Sequence, residues 1–213
     1  MASLKTTVHT NTDSNIPSTG KLANKHNYST RNKPNNDNDS SNFMIYHQNI
    51  RGISKKSDEL LISLSYNRPQ IICLTEHHLK FEEIYNINLD YYKLGAFFCR
   101  KKYSCGGVCI FVSKLLKFSI INLDKYHKEK DLEICAVKLN IQAQNFIIIC
   151  IYRSPTGDFT YFLTKLEIIL NDLNNISNEF IVCGDFNIDY MKESFRKKFF
   201  RFDFSLLQSF YCC

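Results

Sequence analysis

EFIVCGDFN, residues 179–187, decides how the chain is read. Phe180 to Cys183 is a short, wholly apolar run with β-branched members, the pattern of a strand covered on both faces. Gly184-Asp185-Phe186-Asn187 then sets a carboxylate and an amide directly at the strand's end. Just upstream, Phe159, Phe162, Leu163, Leu166, Ile169, Leu170 and Leu173 recur at three- and four-residue steps, the strongest helical period in the sequence. A further helical pattern is expected downstream, from about Met191 to Gln208.

The same kind of punctuation recurs near the other end. FMIYHQNI (43–50) alternates and is bounded by Arg51-Gly52, which predicts a strand. Ser57-Asp58-Glu59 marks a helix start, and Leu60, Leu61 and Leu64 follow at helical spacing. Arg68-Pro69 ends that helix, and QIICLTE (70–76) is a short buried strand. Strand, helix, strand is the unit expected of a parallel crossover. Between the two helical regions, YYKLGAFFCR, CGGVCIFVS, FSIINL, LEICAVKLN and NFIIICIYR are β-type runs separated by polar turns, expected as a meander of mostly antiparallel strands. Two facing mixed sheets with helices outside would use all of these pieces; a single doubly wound sheet is the alternative.

Residues 1–42 are rich in Asn, Ser, Thr, Lys and Asp and hold almost no large apolar side chains. Such a segment buries too little surface to offset its ordering entropy, so a disordered polar leader is expected, with the folded domain running over 43–213. The whole chain has 213 residues, 44% hydrophobic and 14% aromatic, with a formal net charge of +6. The mild basic excess fits a polyanionic partner without demanding one. Nine cysteines are present, an odd count without framework spacing, which argues against a disulfide scaffold. Cys73, Cys109, Cys135, Cys150 and Cys183 sit in apolar runs and are expected to pack as small hydrophobes. Paired Cys-X-X-Cys knuckles are absent. No apolar run approaches membrane-spanning length and the start has no signal-peptide pattern, so an intracellular protein, nuclear or cytoplasmic and not membrane-bound, is expected.

Three predicted strands end in polar residues at their C-terminal edge: Gln48-Asn49, Thr75-Glu76 and Gly184-Asp185-Phe186-Asn187. Carboxylates and amide oxygens are the hard donors that Mg²⁺ prefers. A single strand-end polar residue needs no special account. Four in one register, Asn49, Glu76, Asp185 and Asn187, point to a site.

In order, MIYHQNIRG, IICLTEHHL, GGVCIFV, IICIYRSP and FIVCGDFNID resemble the endonuclease/exonuclease/phosphatase superfamily, in particular the apurinic-type endonuclease of non-LTR retrotransposons. The resemblance covers Phe43 to the C-terminus. It implies a DNase I-like α/β (α+β) fold, a four-layer α/β/β/α sandwich of two mixed sheets, and Mg²⁺-dependent nicking of DNA, with Mn²⁺ as a substitute cation. Glu76 would be the principal metal ligand, with Asn49 beside the same metal. Asp185 would orient or deprotonate the attacking water, helped by Asn187, and Tyr152 would contact the scissile phosphate. The family pattern continues further, through an Asp-bearing strand to a terminal Ser-Asp-His motif that does not occur here, so a fold incomplete at the C-terminus and weak or absent activity are expected.

Two rivals share the residues. One is a phosphatase or phosphodiesterase of the same fold; the other is a non-catalytic remnant that binds nucleic acid or protein. Lesser candidates read more plainly. His77 and His78 are expected as surface or packing histidines rather than metal ligands. Asp189 is expected at a turn or helix cap. Arg153 is expected either against DNA or in solvent, and Arg100-Lys101-Lys102-Tyr103 and Arg196-Lys197-Lys198 as backbone-gripping or merely solvated runs. Gly106-Gly107 is expected as a strand kink.

Overall fold

The run Ile71–Thr75 is buried at every position rather than at alternate ones because it is covered on both faces. A computed structural model describes residues 6–11, 43–141, 144–174, 179–188 and 209–210 of the chain. In order, the elements are β1 (Thr6–Asn11), β2 (Phe43–Asn49), α1 (Ser57–Leu64), β3 (Ile71–Thr75), β4 (Tyr92–Phe98) and β5 (Val108–Ser113). They continue as β6 (Phe118–Ile121), β7 (Glu133–Ile141), β8 (Gln144–Tyr152), α2 (Phe159–Asn174), β9 (Glu179–Asp185) and β10 (Ser209–Phe210). Two five-stranded sheets result, ordered β1-β2-β3-β5-β4 and β10-β9-β8-β7-β6.

Side-chain alternation then sorts each strand into layers. In β3, Ile71 and Cys73 face the other sheet, while Ile72 and Leu74 face α1. In β8, Ile148 and Cys150 face inward, while Ile147, Ile149 and Ile151 meet Phe162, Leu166 and Ile169 of α2. The result is α1, sheet, sheet, α2: the four-layer sandwich, and not a doubly wound single sheet. Helix α1 carries no side-chain N-cap and is held by Leu60 and Leu64, one turn apart and both buried. Helix α2 is capped by Asp158, whose Oδ1 accepts from the amides of Thr160 and Tyr161 at 2.9 and 3.0 Å.

Each helix joins two parallel neighbours, β2 to β3 and β8 to β9, so the C-terminal ends of all four strands emerge at one end of the sandwich. The middle strands are not one meander. β5 inserts antiparallel between β3 and β4, while β6, β7 and β8 build the second sheet. The short turn Lys114–Lys117 carries the chain across. Within the segment expected to be disordered, Thr6–Asn11 forms a parallel edge strand on β2. Strand pairing satisfies backbone groups, so it does not require the apolar side chains whose scarcity motivated the expectation. The helix expected over 191–208, Asp189 and Arg196–Lys198 lie outside the described residues.

Candidate active site

Register decides which strand-end residues meet. Asn49 shares the inward face of β2 with Phe43 and Ile45, and Asp185 shares the inward face of β9 with Ile181 and Cys183. The two tips therefore face one another across the gap between the sheets. Asn49 Nδ2 donates to Glu76 Oε1 and to Asp185 Oδ2, each at 2.8 Å. One amide thus joins carboxylates from opposite sheets. Glu76 leaves β3 with φ 55°, His78 has φ 61° and Asn187 has φ 48°, so positive-φ backbone clusters at this end. Such conformations cost energy and persist where surrounding bonds over-determine them.

Tyr152 pairs in register with Asp185 on the neighbouring strand. Burial, and then the Glu76 carboxylate that its hydroxyl bonds, push its pKa well above the ordinary phenol value. It therefore remains a protonated donor at neutral pH. Asn187 is fastened beside Asp185, its backbone N–H donating to Asp185 Oδ1 at 3.1 Å. Its side-chain Nδ2 donates to the Arg153 carbonyl at 2.8 Å. All five expected site residues lie in one region, with Asn187 turned toward the β8 end.

Arg153 is neither solvated nor on an open surface. It is 5% exposed, and its guanidinium donates to the carbonyls of Phe186, Asn187, Ser154 and Gly157. Arg100 is also not a surface cation: its Nε donates to Glu133 Oε1 at 2.6 Å, and its guanidinium lies over the Tyr152 ring at 5.7 Å. Glu133 is fully buried and also accepts from the amides of Gly107 and Lys130. The partners are 33 residues apart, so no local pattern announces the pair. Lys101, Lys102 and Tyr103 are exposed, their amides donating to Glu129.

His77 is a packing histidine. Its Nδ1 accepts from the Leu79 amide and its Nε2 donates to the Phe98 carbonyl, both at 3.0 Å, which fixes one neutral tautomer. Burial lowers its pKa to about 4. His78 lies at 27% exposure with Nε2 3.4 Å from Glu76 Oε2. Gly107 precedes β5 rather than kinking it, and a Cβ there would stand 2.4 Å from His77 Nε2. Gly184 has a comparable cause: β9 runs so near β8 that a Cβ would stand 2.0 Å from the Ile151 carbonyl oxygen.

The donor set suits a hard cation. Asn49 Oδ1 is buried with no hydrogen-bond partner among the described residues. No lysine or arginine nitrogen comes within 4 Å of Glu76 or Asp185 there either. No trio of His, Cys, Asp or Glu gathers around a metal position among the described residues. Two carboxylates and an amide oxygen remain, which is the sparse, water-completed set that Mg²⁺ tolerates.

Among solved structures, the chain is similar to the endonuclease domain of TRAS1, a telomere-specific non-LTR retrotransposon. The TM-score is 0.57 and the identity 11%, over 76% of this chain and 69% of that one. It is similar to the 3′ phosphatase NExo from Neisseria bound to a product DNA hairpin, at TM-score 0.55 and 16% identity, over 76% and 70%. The Xenopus laevis APE2 catalytic domain gives 0.52 and 18%, over 76% and 68%. At such identities the likeness concerns the fold. No curated protein matches the chain in sequence. No helix among the described residues is long and apolar enough to cross a membrane. Residues 47–202 match the Endonuclease/Exonuclease/phosphatase family, and the chain belongs to that family.

Proposed function

We propose that the chain hydrolyses phosphodiester bonds in DNA with a divalent cation, Mg²⁺ or in its place Mn²⁺, as the nicking module of a retrotransposon-type protein acting in the nucleus or cytoplasm. The observation that carries this reading is the Asn49 amide shared between Glu76 and Asp185. Glu76 and the free Asn49 Oδ1 would hold the cation. When bound, the cation supplies positive charge against the phosphoryl oxygens. Asp185 orients a water and takes its proton. Tyr152, kept protonated, donates to a phosphate oxygen. An amide nitrogen carries two hydrogens, so Asn187 retains one for the same phosphate after donating to Arg153.

Purified chain incubated with supercoiled plasmid and Mg²⁺ is expected to convert it to the nicked form at a low rate, in keeping with the weak activity expected from the sequence, and EDTA to stop the conversion. Glu76→Ala and Asp185→Asn each lower the rate by about 10²-fold or more. Nicking that survives Glu76→Ala at full rate removes the assignment. A 3′-phosphatase would use the same side chains, and the likeness to NExo makes that the second reading. A hairpin oligonucleotide ending in a 3′ phosphate separates the two, since release of phosphate without plasmid nicking favours the phosphatase.

A further inference from the structure

We infer that Arg153 is the positioning residue of this site, a buried guanidinium that sets the turn bearing Asp185 and Asn187 from behind without touching substrate. The inference rests on the proposed hydrolytic reading and deepens it. Its ground is the number of bonds that converge on one side chain. Nε donates to the Phe186 carbonyl at 2.8 Å and Nη2 to that of Asn187. Nη1 donates to the carbonyls of Gly157 at 2.7 Å and Ser154 at 3.1 Å. The backbone joins in: Arg153 N–H donates to the Asp185 carbonyl at 3.0 Å, and the Arg153 carbonyl accepts from Asn187 Nδ2 at 2.8 Å.

Two features separate this from ordinary packing. First, the acceptors are all carbonyls, and no carboxylate lies within 4 Å of the guanidinium among the described residues. Burying a cation without a carboxylate in contact is costly; Asp185 and Asp131 supply opposite charge from farther off, and the carbonyl dipoles offset part of the rest. Second, two of the four carbonyls belong to the residues that follow Asp185, Phe186 and Asn187, the latter in its left-handed conformation, while those of Ser154 and Gly157 belong to the turn after β8. Those two carbonyls have left the sheet, and a planar fork with several fixed donors reaches both at once. A lysine has the charge but not the fork. The ring of Phe159 lies under the guanidinium at 5.5 Å, and Phe162 packs between Phe159 and Phe186. The side chain therefore has no open path to solvent on that flank, which fits a support rather than a substrate contact.

The test uses the full chain with Arg153→Lys and Arg153→Ala. Backbone and side-chain amide resonances of Asn187 are recorded by ¹H–¹⁵N NMR without metal or DNA, with Ile148 and Val182 as core controls. Both variants are expected to move or broaden the Asn187 signals and leave the controls in place. Millimolar guanidinium ion added to Arg153→Ala is expected to restore them. In plasmid nicking, both variants are expected to lose about 100-fold in kcat with KM nearly unchanged, and guanidinium to recover part of the loss in Arg153→Ala. Unmoved Asn187 signals in Arg153→Lys overturn the inference. So does a raised KM at constant kcat, which would mean substrate contact. Collapse of the whole spectrum in both variants assigns Arg153 to general stability and overturns it as well. If the unaltered chain cuts no DNA, the hydrolytic reading fails on its own, and the NMR arm still decides the role of Arg153.

Discussion

On the first sheet, the chain leaving β3 is held by His77, a neutral ring that accepts from the Leu79 amide and donates to the Phe98 carbonyl. On the second sheet, the chain leaving β9 is held by Arg153, a permanent cation that only donates. Both are buried, and both fasten backbone that carries a candidate site carboxylate. They differ in what can undo them. The histidine needs one ring nitrogen bare, so a proton breaks it. The guanidinium keeps its charge throughout the accessible pH range, so only a change of side chain breaks it.

The largest effects should come from two glycines, Gly184 in β9, where that strand runs close against β8, and Gly107 against the His77 ring. Gly184→Ala would drive a methyl into the Ile151 carbonyl oxygen, which is backbone and cannot step aside. We expect a loss of about 4 kcal/mol or more, read as a lowered urea midpoint or as failure to fold. Gly107→Ala would strike the His77 ring instead, with φ +87° adding strain, and should cost less because a side chain can shift. Equal costs would mean that the histidine is as immovable as backbone, which removes the contrast.

Next in size is Glu133, which ties Arg100 at the end of β4 to the start of β7 and so couples the two halves. Breaking a buried pair by removing one partner costs about 3–5 kcal/mol. Glu133→Ala should show this in chemical unfolding, with Glu133→Gln losing less. A change under about 1 kcal/mol would mean that the two halves stand independently.

The smallest effect is the one most specific to the histidine side. Burial lowers both His77 and His47 to about 4, from an ordinary value of 6.5. Between those values the unfolded chain binds more protons than the folded one, so stability rises with pH there. It is full above about 6.5 and is lost as pH falls toward 4, by up to about 3 kcal/mol for each ring. Glu133 works in the opposite sense, since burial raises its carboxyl despite Arg100 and so favours the protonated folded form. Urea midpoints at pH 7, 5.5 and 4 should fall in that order, and His77→Gln should flatten the decline. A midpoint unchanged down to pH 4 would contradict buried neutral histidines.

These contrasts also mark what the sequence makes legible. The strand tips were readable because a covered strand is a continuous apolar run, and a polar residue ending it stands out, as at Asn49, Glu76 and Asp185. Tyr152 came with them through the family resemblance. The supports were hidden. Arg100 sits in a run of charges that looks solvated, and its partner is 33 residues away. Arg153 follows a strand, where an arginine is unremarkable until the carbonyls of Phe186 and Asn187 are seen to converge on it. The division of the middle strands between two sheets turns on Lys114–Lys117, a four-residue Lys-Leu-Leu-Lys turn in which nothing marks a change of sheet. Thr6–Asn11 pairs with β2 as a parallel strand, and composition does not report backbone pairing.

The layer between the sheets has a chemical consequence of its own. Cys73, Cys135, Cys150 and Cys183 are buried there, each with its thiol pushed above the usual range, whereas Cys105 is exposed in the loop after Arg100. A thiol-selective dye should therefore discriminate by depth. With Cys212 and Cys213 changed to serine, brief labelling of native protein would tag Cys105. Later incorporation at the four interior sulfurs would clock the moments when the two sheets part.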